Sequence, residues 1–552
     1  MPDFLSLHQE TLSEAVEAIT SRRYWSPYPE QPKAYGDEAA EAGRAAFEAR
    51  LGRPFAIDQP ARGFFEPAES SPYGIDLGIT YPASDPASLI AAARAAMGAW
   101  GRATPGVRAG VLLEILQRLA AQSFEMAAAV MHTTGQSFLM AFQAGGPHAL
   151  DRALEAVAYA YVEQTRLPGP MTWEKPQGSR DPLVVEKEWI VRPRGVAVAI
   201  GVSTFPTWNG YPGIFASLGT GNAVIVKPHP TTILPFAIFV ETARTVIAEA
   251  GFDPNVVTLA ADTPDAPVAV QLVSDPAVAI VDYTGGPSFG NWLEENVHQA
   301  SVYTEKAGVN SVIIDSARDL APVFQNLSVS MTMYSGQMCT TPQNVYISRA
   351  GVAVDGEIVP FADVAAGLAS AIDGLLADDA RAVAVLGAIK ARETIDRIAS
   401  AAGRGTVLLE SRAVRNPEFP DAVVRTPVVV QVDGHDRAAY MAEMFGPVIF
   451  VIATDSTEHS LDLAAESARA KGAITWLLYA VDEAVIGAAV DAAVDAGVSL
   501  AVNLTGGLYV NQSAAFSDFH VTGANPAGNA SLTDPAFVAN RFRVVGVRRQ
   551  HA

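Results

Sequence analysis

Residues 195–228 read GVAVAIGVSTFPTWNGYPGIFASLGTGNAVIVKP, and this stretch decides the fold. GVAVAIGV is a β-branched run of strand length, GYPGIFASLGTG reads as a helix with a glycine stop, and NAVIVKP is a second strand. FAIFVETARTVIAEAG (236–251) follows as a helix, and VVTLAA (256–261) and AVAIVDYTGG (277–286) as strands. This alternation argues a parallel sheet with helices on both faces. After Gly308 a second series begins: SVIID, a helix, NVYISR, another helix, TVLLES, VVVQV, VIFVIA and TWLLYAV. The expected class is therefore α/β, with two α/β lobes of similar size.

Upstream, residues 85–164 carry apolar residues at helical spacings of three and four, as in SLIAAARAAMGAW. Asp85-Pro86 reads as an N-cap followed by proline at the first helical position. Residues 1–80 hold one short helical stretch, Glu10–Ser21, then a Pro- and Gly-rich region, and read as an arm packed on a larger body. Residues 165–193 are polar, Pro-punctuated and partly alternating, which suits an extended hairpin. The basic alternating tail FRVVGVRRQ (542–550) suits an edge strand added to a neighbour.

Composition narrows the function classes. The 552 residues carry 38 Lys and Arg against 59 Asp and Glu, a net charge of −21. No nucleic-acid partner is expected, because phosphate binding wants a basic face. Cys339 is the single cysteine, so neither an intrachain disulfide nor a CxxC zinc site can form, and no metal is expected. No apolar stretch reaches membrane-spanning length, and MPDFLSLHQETLSEAVEA lacks the layout of a signal peptide. The expectation is a soluble cytoplasmic protein.

Ligands of such sheets bind at the C-terminal ends of strands. The usual GxGxxG is absent, but Gly285-Gly286-Pro287-Ser288-Phe289-Gly290 ends a strand and opens a helix. Its glycines would let backbone amides approach a pyrophosphate at the helix N-terminus, though a plain structural turn has the same form. Lys227 ends the strand NAVIVKP, where it could reach a ribose or stand merely exposed. Cys339, in MYSGQMCTTPQN, sits at a loop or helix terminus, where it is either a small buried hydrophobe or a nucleophile. Glu305, in VYTEKAGVN, ends a predicted strand, where a glutamate is commonly just solvated.

Together these pieces are more specific. The order Lys227, Gly285 to Gly290, Glu305, Cys339, then Glu443 in EMFGPV resembles the aldehyde dehydrogenase superfamily from about residue 80 to 530. Thr204 precedes Lys227 by 23 residues and Glu305 precedes Cys339 by 34, spacings similar to the family's. MYSGQMCTTPQNVYISR and AAFSDFHVTGANPAGNASLTDPAFVANRF, with the long N-terminal arm, resemble the phenylacetate-degradation branch of the PaaN type. The resemblance implies an N-terminal arm (1–80) and a Rossmann-like cofactor-binding domain (81–164 and 194–307). It further implies a catalytic domain (308–506), with residues 165–193 and 507–552 forming a small β oligomerisation flap. A homodimer or homotetramer is implied, and the implied substrate is a CoA-linked semialdehyde.

The resemblance also implies roles. The Cys339 thiolate would add to the aldehyde carbonyl, giving a thiohemiacetal, and hydride loss to the nicotinamide would leave a thioester. Nearby amides, a helix end or the cofactor's positive ring would have to lower the thiol's pKa. Glu305 would deprotonate the hydrolytic water. The Cys339 amide would bind the oxyanion, each such donor being worth about 3–4 kcal/mol. The family's second donor is an asparagine. Thr204 stands in its place here, with Asn209 as a possible substitute. Glu443 would hold the nicotinamide ribose with Phe445 packed beside it, and Lys227 the adenosine ribose. Lys227-Pro228-His229-Pro230 lacks the carboxylate that favours NAD, and a cationic His229 would attract a 2′-phosphate, so NADP is expected over NAD. Two other readings stay open. A CoA-acylating dehydrogenase is one, although that class generally lacks the base glutamate. The other is a non-catalytic binding protein, which Thr204 alone favours.

Overall fold

The computed structural model describes residues 2–306, 308–511, 515–516, 520–532 and 535–550. The opening stretch forms the strand Val196–Ile200, the helix Pro206–Gly219 and the strand Ala223–Lys227. These strands are the centre of a five-stranded sheet, entirely parallel. In order across it run Val257–Leu259, Ala223–Lys227, Val196–Ile200, Val278–Gly285 and Ser301–Lys306. The central strands are buried on both faces, which is why they are continuously apolar rather than alternating. The chain winds outward from Val196–Ile200 to one edge, then crosses to Val278–Gly285 on the other side. Strand order thus reverses between those two strands, where their C-terminal ends leave a crevice.

The second lobe is a seven-stranded sheet ordered Thr406–Leu409, Val428–Asp433, Val448–Thr454, Asn344–Ser348, Ser311–Ile314, Thr475–Tyr479 and Ser499–Val502. It is parallel except for the first, edge strand. Cys339 lies just before Asn344–Ser348, at the N-terminal edge of this sheet, facing the C-terminal edge of the first. Asn310 fixes that edge. Its amide donates to the carbonyls of Cys339 (2.7 Å) and Thr341 (3.2 Å), and its oxygen accepts from the amides of Ile474 and Thr475.

Residues 165–193 do form a hairpin: Met171–Gln177 pairs antiparallel with Arg180–Pro193. The tail strand Phe542–Arg549 adds to it, on a strand of its own chain. Asp85 caps the helix Pro86–Trp100 as expected, accepting from the Ser88 amide. Two expectations need correcting. The helix expected from Gly210 begins at Pro206, four residues earlier, and runs through Pro212. The arm holds a further long helix, Asp37–Arg50, besides Gln9–Ser21. The arm is part of the body: Leu12, Ile19, Tyr28 and Phe47 join the core of the first lobe. Ser26 and Arg22 bond to Asp151 and Glu155 on the helix Pro147–Thr165.

Candidate active site

Cys339 stands where two cavities meet. One, of about 260 Å³, occupies the crevice at the strand-order reversal. It is lined by Thr204 after the first strand, Gly285 and Gly286 after the fourth, and Glu305, Cys339, Glu443 and Phe445. The other, of about 500 Å³, is lined mainly by apolar and aromatic side chains, including Phe205, Trp208, Met333, Met338 and Leu504. Glu30 of the arm and His148, paired at 3.1 Å, also line it. A thiol at such a junction can meet one ligand from each side.

The local backbone is built for this placement. The helix Leu320–Thr332 ends in a turn where Tyr334, Ser335 and Gly336 all take left-handed conformations. For the two non-glycine residues this costs roughly 1–2 kcal/mol each. Neighbours hold the turn, with Tyr334 donating to the Thr134 carbonyl at 2.7 Å and Ser335 to Gly387 at 3.2 Å. At Gly336 a Cβ would come within 2.4 Å of the Gly446 carbonyl. The thiol loop and the EMFGPV loop therefore pack backbone to backbone, which brings Glu443 and Phe445 to the cavity.

Around the thiol, polar groups converge. Glu305, near the end of the strand Ser301–Lys306, accepts at both oxygens from the Asn209 amide, each at 3.0 Å. His520 Nε2 lies 2.7 Å from Glu305 Oε1 and 3.5 Å from Cys339 Sγ. Burial works to raise the Glu305 pKa, but His520 and Arg152 outweigh it and hold the carboxyl below its ordinary value. The thiol moves the other way: burial and then the Glu305 charge push it well up. Of the means expected to lower it, nearby amides, a helix end or the cofactor's positive ring, the protein's own groups leave the thiol high. A positive partner must supply that effect. Glu305, Cys339 and His520 are also the described residues whose potential metal ligand atoms cluster. The 2.7 Å nitrogen–oxygen contact is a hydrogen-bond distance, shorter than the roughly 3.3 Å between two ligands of one tetrahedral zinc.

Asn209 is not a free oxyanion donor, because its amide is spent on Glu305. Thr204 lines the smaller cavity, its carbonyl held by Gln136 at 2.7 Å. Gly290 is absent from the lining. A Cβ there would strike the Lys306 chain at 2.5 Å, so this glycine serves packing.

Lys227 and His229 also lie away from the thiol. Lys227 Nζ is 2.7 Å from Asp262 Oδ1, and both side chains are buried. Burial, then the charges of Lys227 and Lys390, drive the His229 pKa down to about 4. The imidazole is neutral at physiological pH, so the cation on which the NADP expectation rested is missing.

The crevice fits a dinucleotide. Gly286 caps the helix Pro287–Asn296, and a Cβ there would meet nothing within 4 Å, so open space lies over that helix start. Glu443 presents a half-buried carboxyl whose pKa desolvation raises to about 8, a backbone bond from Gly308 and the Arg397 charge not offsetting it. Sequence reasoning missed His520, Arg152 and Trp208, which complete the site.

The model of the aldehyde dehydrogenase family matches residues 80–499. The crystal structure of an NAD-dependent aldehyde dehydrogenase from Burkholderia multivorans is similar across 100% of this chain and 99% of that one. It shares 54% identity, with a TM-score of 0.98. Geranial dehydrogenase of Castellaniella defragrans is 27% identical over 394 residues, 70% of this chain and 77% of that protein. The 1-pyrroline-5-carboxylate dehydrogenase from Thermus, crystallised with bound NAD, has a TM-score of 0.73 at 17% identity. It covers 96% of this chain and 99% of that one, a likeness of fold.

Proposed function

The chain belongs to the aldehyde dehydrogenase family, and from that premise we propose that it oxidises an aldehyde to a carboxylic acid with a nicotinamide dinucleotide. The observation that carries this is the position of Cys339 between the crevice at the strand ends and the apolar cavity, with an ionised Glu305 beside it. Cys339 is the nucleophile, attacking an aldehyde that enters through the larger cavity. The Cys339 amide and Thr204 stabilise the oxyanion. A nicotinamide bound in the crevice supplies the hydride acceptor. Glu305 takes a proton from water so that hydroxide attacks the acyl–Cys339 thioester. Lys227, Gly285 and Gly286 hold the dinucleotide, and Glu443 and Phe445 its nicotinamide end.

We read the substrate as a CoA-linked semialdehyde of phenylacetate catabolism, supported by the resemblance of residues 333–349 and 514–542 to that branch. A free apolar aldehyde is the second reading. It is favoured by the larger cavity, whose described lining residues include no Lys or Arg. Reduction rates across free aldehydes and their CoA-linked forms, with product analysis with and without added CoA, separate the two. An acyl-CoA product formed only with added CoA would identify the acylating reaction and overturn hydrolysis.

For the cofactor we propose NAD over NADP. The buried Asp262 carboxylate at Lys227 would accept a ribose hydroxyl and repel a 2′-phosphate. The likeness to an NAD-dependent enzyme supports it. The expected result is kcat/KM at least about tenfold higher with NAD, the worth of one poorly placed charge. A tenfold preference for NADP overturns it.

Glu443 gives cofactor binding a pH dependence. Its carboxyl is protonated below about 8 in the free protein, and only the carboxylate accepts from two ribose hydroxyls. Binding then releases a proton, so Kd should fall by up to about tenfold per unit as pH rises toward that value, and level off above it. Fluorescence titrations between these limits check it, and Glu443→Gln should flatten the curve.

The flap formed by the hairpin and tail suits pairing with a second copy. Trp173, Leu183, Val184, Val545 and Val547 are exposed on it, an apolar surface uncommon on a monomer. Val545→Glu should convert a dimer or tetramer into smaller species by light scattering, and an unchanged mass would remove the flap from the interface. The lone thiol further suggests a reducing compartment such as the cytoplasm.

A further inference from the structure

The N-terminal arm places a charged group in the larger cavity. Glu30 lies in the irregular stretch after Gln9–Ser21, which packs on the start of the helix Pro147–Thr165. Ser26 donates to Asp151 Oδ1 at 2.6 Å, Tyr28 is buried in the core of the first lobe, and Gln143 donates to the Glu30 carbonyl at 3.4 Å. His148 Nε2 lies 3.1 Å from Glu30 Oε2, and Oε1 bonds to none of the described residues. The His148 bond holds the carboxyl below its ordinary pKa, so Glu30 is charged at neutral pH.

Glu30 lines the same cavity as Cys339 but on its solvent side, with 43% of its side chain exposed. The charges that act on the thiol are those of Glu305, Arg152 and Glu443, not that of Glu30. The thiol and this carboxylate therefore stand at separate parts of the space an aldehyde would fill. The described lining holds no Lys or Arg, and the nearest imidazole nitrogen is already engaged, so nothing there neutralises a second carboxylate beside Glu30.

We propose that Glu30 determines specificity for the far end of the substrate: it accepts from a neutral donor, an amide N–H or a hydroxyl, and turns away a terminal carboxylate. This rests on the reading of Cys339 as the nucleophile and of the larger cavity as the aldehyde's. With the carbonyl at Cys339, the other end of the substrate extends toward the mouth. A methyl group there makes apolar contacts alone. An amide N–H gains a charge-assisted hydrogen bond. A carboxylate meets a like charge and gives up water without receiving a donor. The same chemistry separates a semialdehyde linked as a CoA thioester, whose pantetheine arm carries amide N–H groups, from the free acid that hydrolysis of the thioester leaves. Glu30 admits the first and refuses the second.

The test is kcat/KM of the full-length protein with hexanal, adipate semialdehyde, its primary amide and its pantetheine thioester. The unsubstituted protein should use the carboxylate at least about tenfold less well than hexanal, and the amide at least as well as hexanal. Glu30→Gln should raise kcat/KM for the carboxylate by about tenfold, through KM, and leave hexanal within about twofold. Glu30→Ala should also remove the advantage of the amide. Raising the ionic strength from about 0.01 M to about 1 M should narrow the carboxylate's disadvantage in the unsubstituted protein, because Glu30 is within reach of salt. A thioester turned over better than the amide places the donor in the CoA arm, and one turned over no better places it on the free aldehyde. Equal scaling of all the aldehydes in the Glu30 variants would show a merely structural role and overturn the proposal. So would a carboxylate used as well as hexanal by the unsubstituted protein, a result that needs no variant to fold. Cofactor reduction that survives Cys339→Ala would instead refute the nucleophile reading, an outcome separate from these.

Discussion

Cys339→Ala is expected to abolish aldehyde-dependent cofactor reduction, with kcat falling by about 10⁴-fold or more. An aldehyde has no hydride to give until a nucleophile has added to its carbonyl, and this chain contains no second cysteine to substitute. Water is a poor replacement, because the larger cavity is lined mainly by apolar side chains. Alanine removes one sulfur and leaves Glu443, Phe445 and the Gly285–Gly286 turn unchanged. Cofactor affinity, followed by fluorescence, should therefore stay within about twofold. The pairing of intact binding with lost turnover distinguishes a missing nucleophile from a collapsed site. Turnover retained at a tenth of the starting rate would show that Cys339 does not attack the substrate.

The elements that could be read from the sequence are those whose signal is local. The strands of the first sheet are continuous apolar runs because both faces are covered, and such runs survive without tertiary information. The cap at Asp85-Pro86 is a two-residue pattern with a local hydrogen bond. Where the expectation failed, the deciding interaction was distant or masked. The expected start at Gly210 misses a helix that begins at Pro206 and accepts Pro212 nearly two turns in, at the cost of the bond its missing N–H would have given Trp208. Asp37–Arg50 buries little apolar surface beyond Phe47, so its amphipathic period is faint. His229 loses its expected charge through burial, which depends on the packed lobes. His520 lies 181 residues from Cys339, in a segment with no spacing rule to link them, and only folding brings imidazole and thiol together.

Glu305→Gln should separate the two halves of the reaction. The first turnover is expected to proceed, giving about one equivalent of reduced cofactor per site, while the steady-state rate falls roughly 10²–10³-fold. In the native site the carboxylate is kept ionised by His520 and Arg152 despite its burial, so it is ready to accept a proton from water. That same charge pushes the Cys339 thiol pKa upward. Glutamine removes both effects at once. The thiol becomes easier to ionise, so acylation is not slowed, but the carboxylate that activates water against the thioester is gone. Asn209 reinforces the asymmetry, since its two amide contacts suit a carboxylate and not the NH₂ of glutamine. Rapid acid quenching should therefore trap an acyl group on the Cys339 peptide in the variant and little in the unsubstituted protein. If burst and steady state fell together, with no acyl-enzyme trapped, Glu305 would be acting before the thioester forms. A role for the carboxylate in deacylation alone would then be wrong.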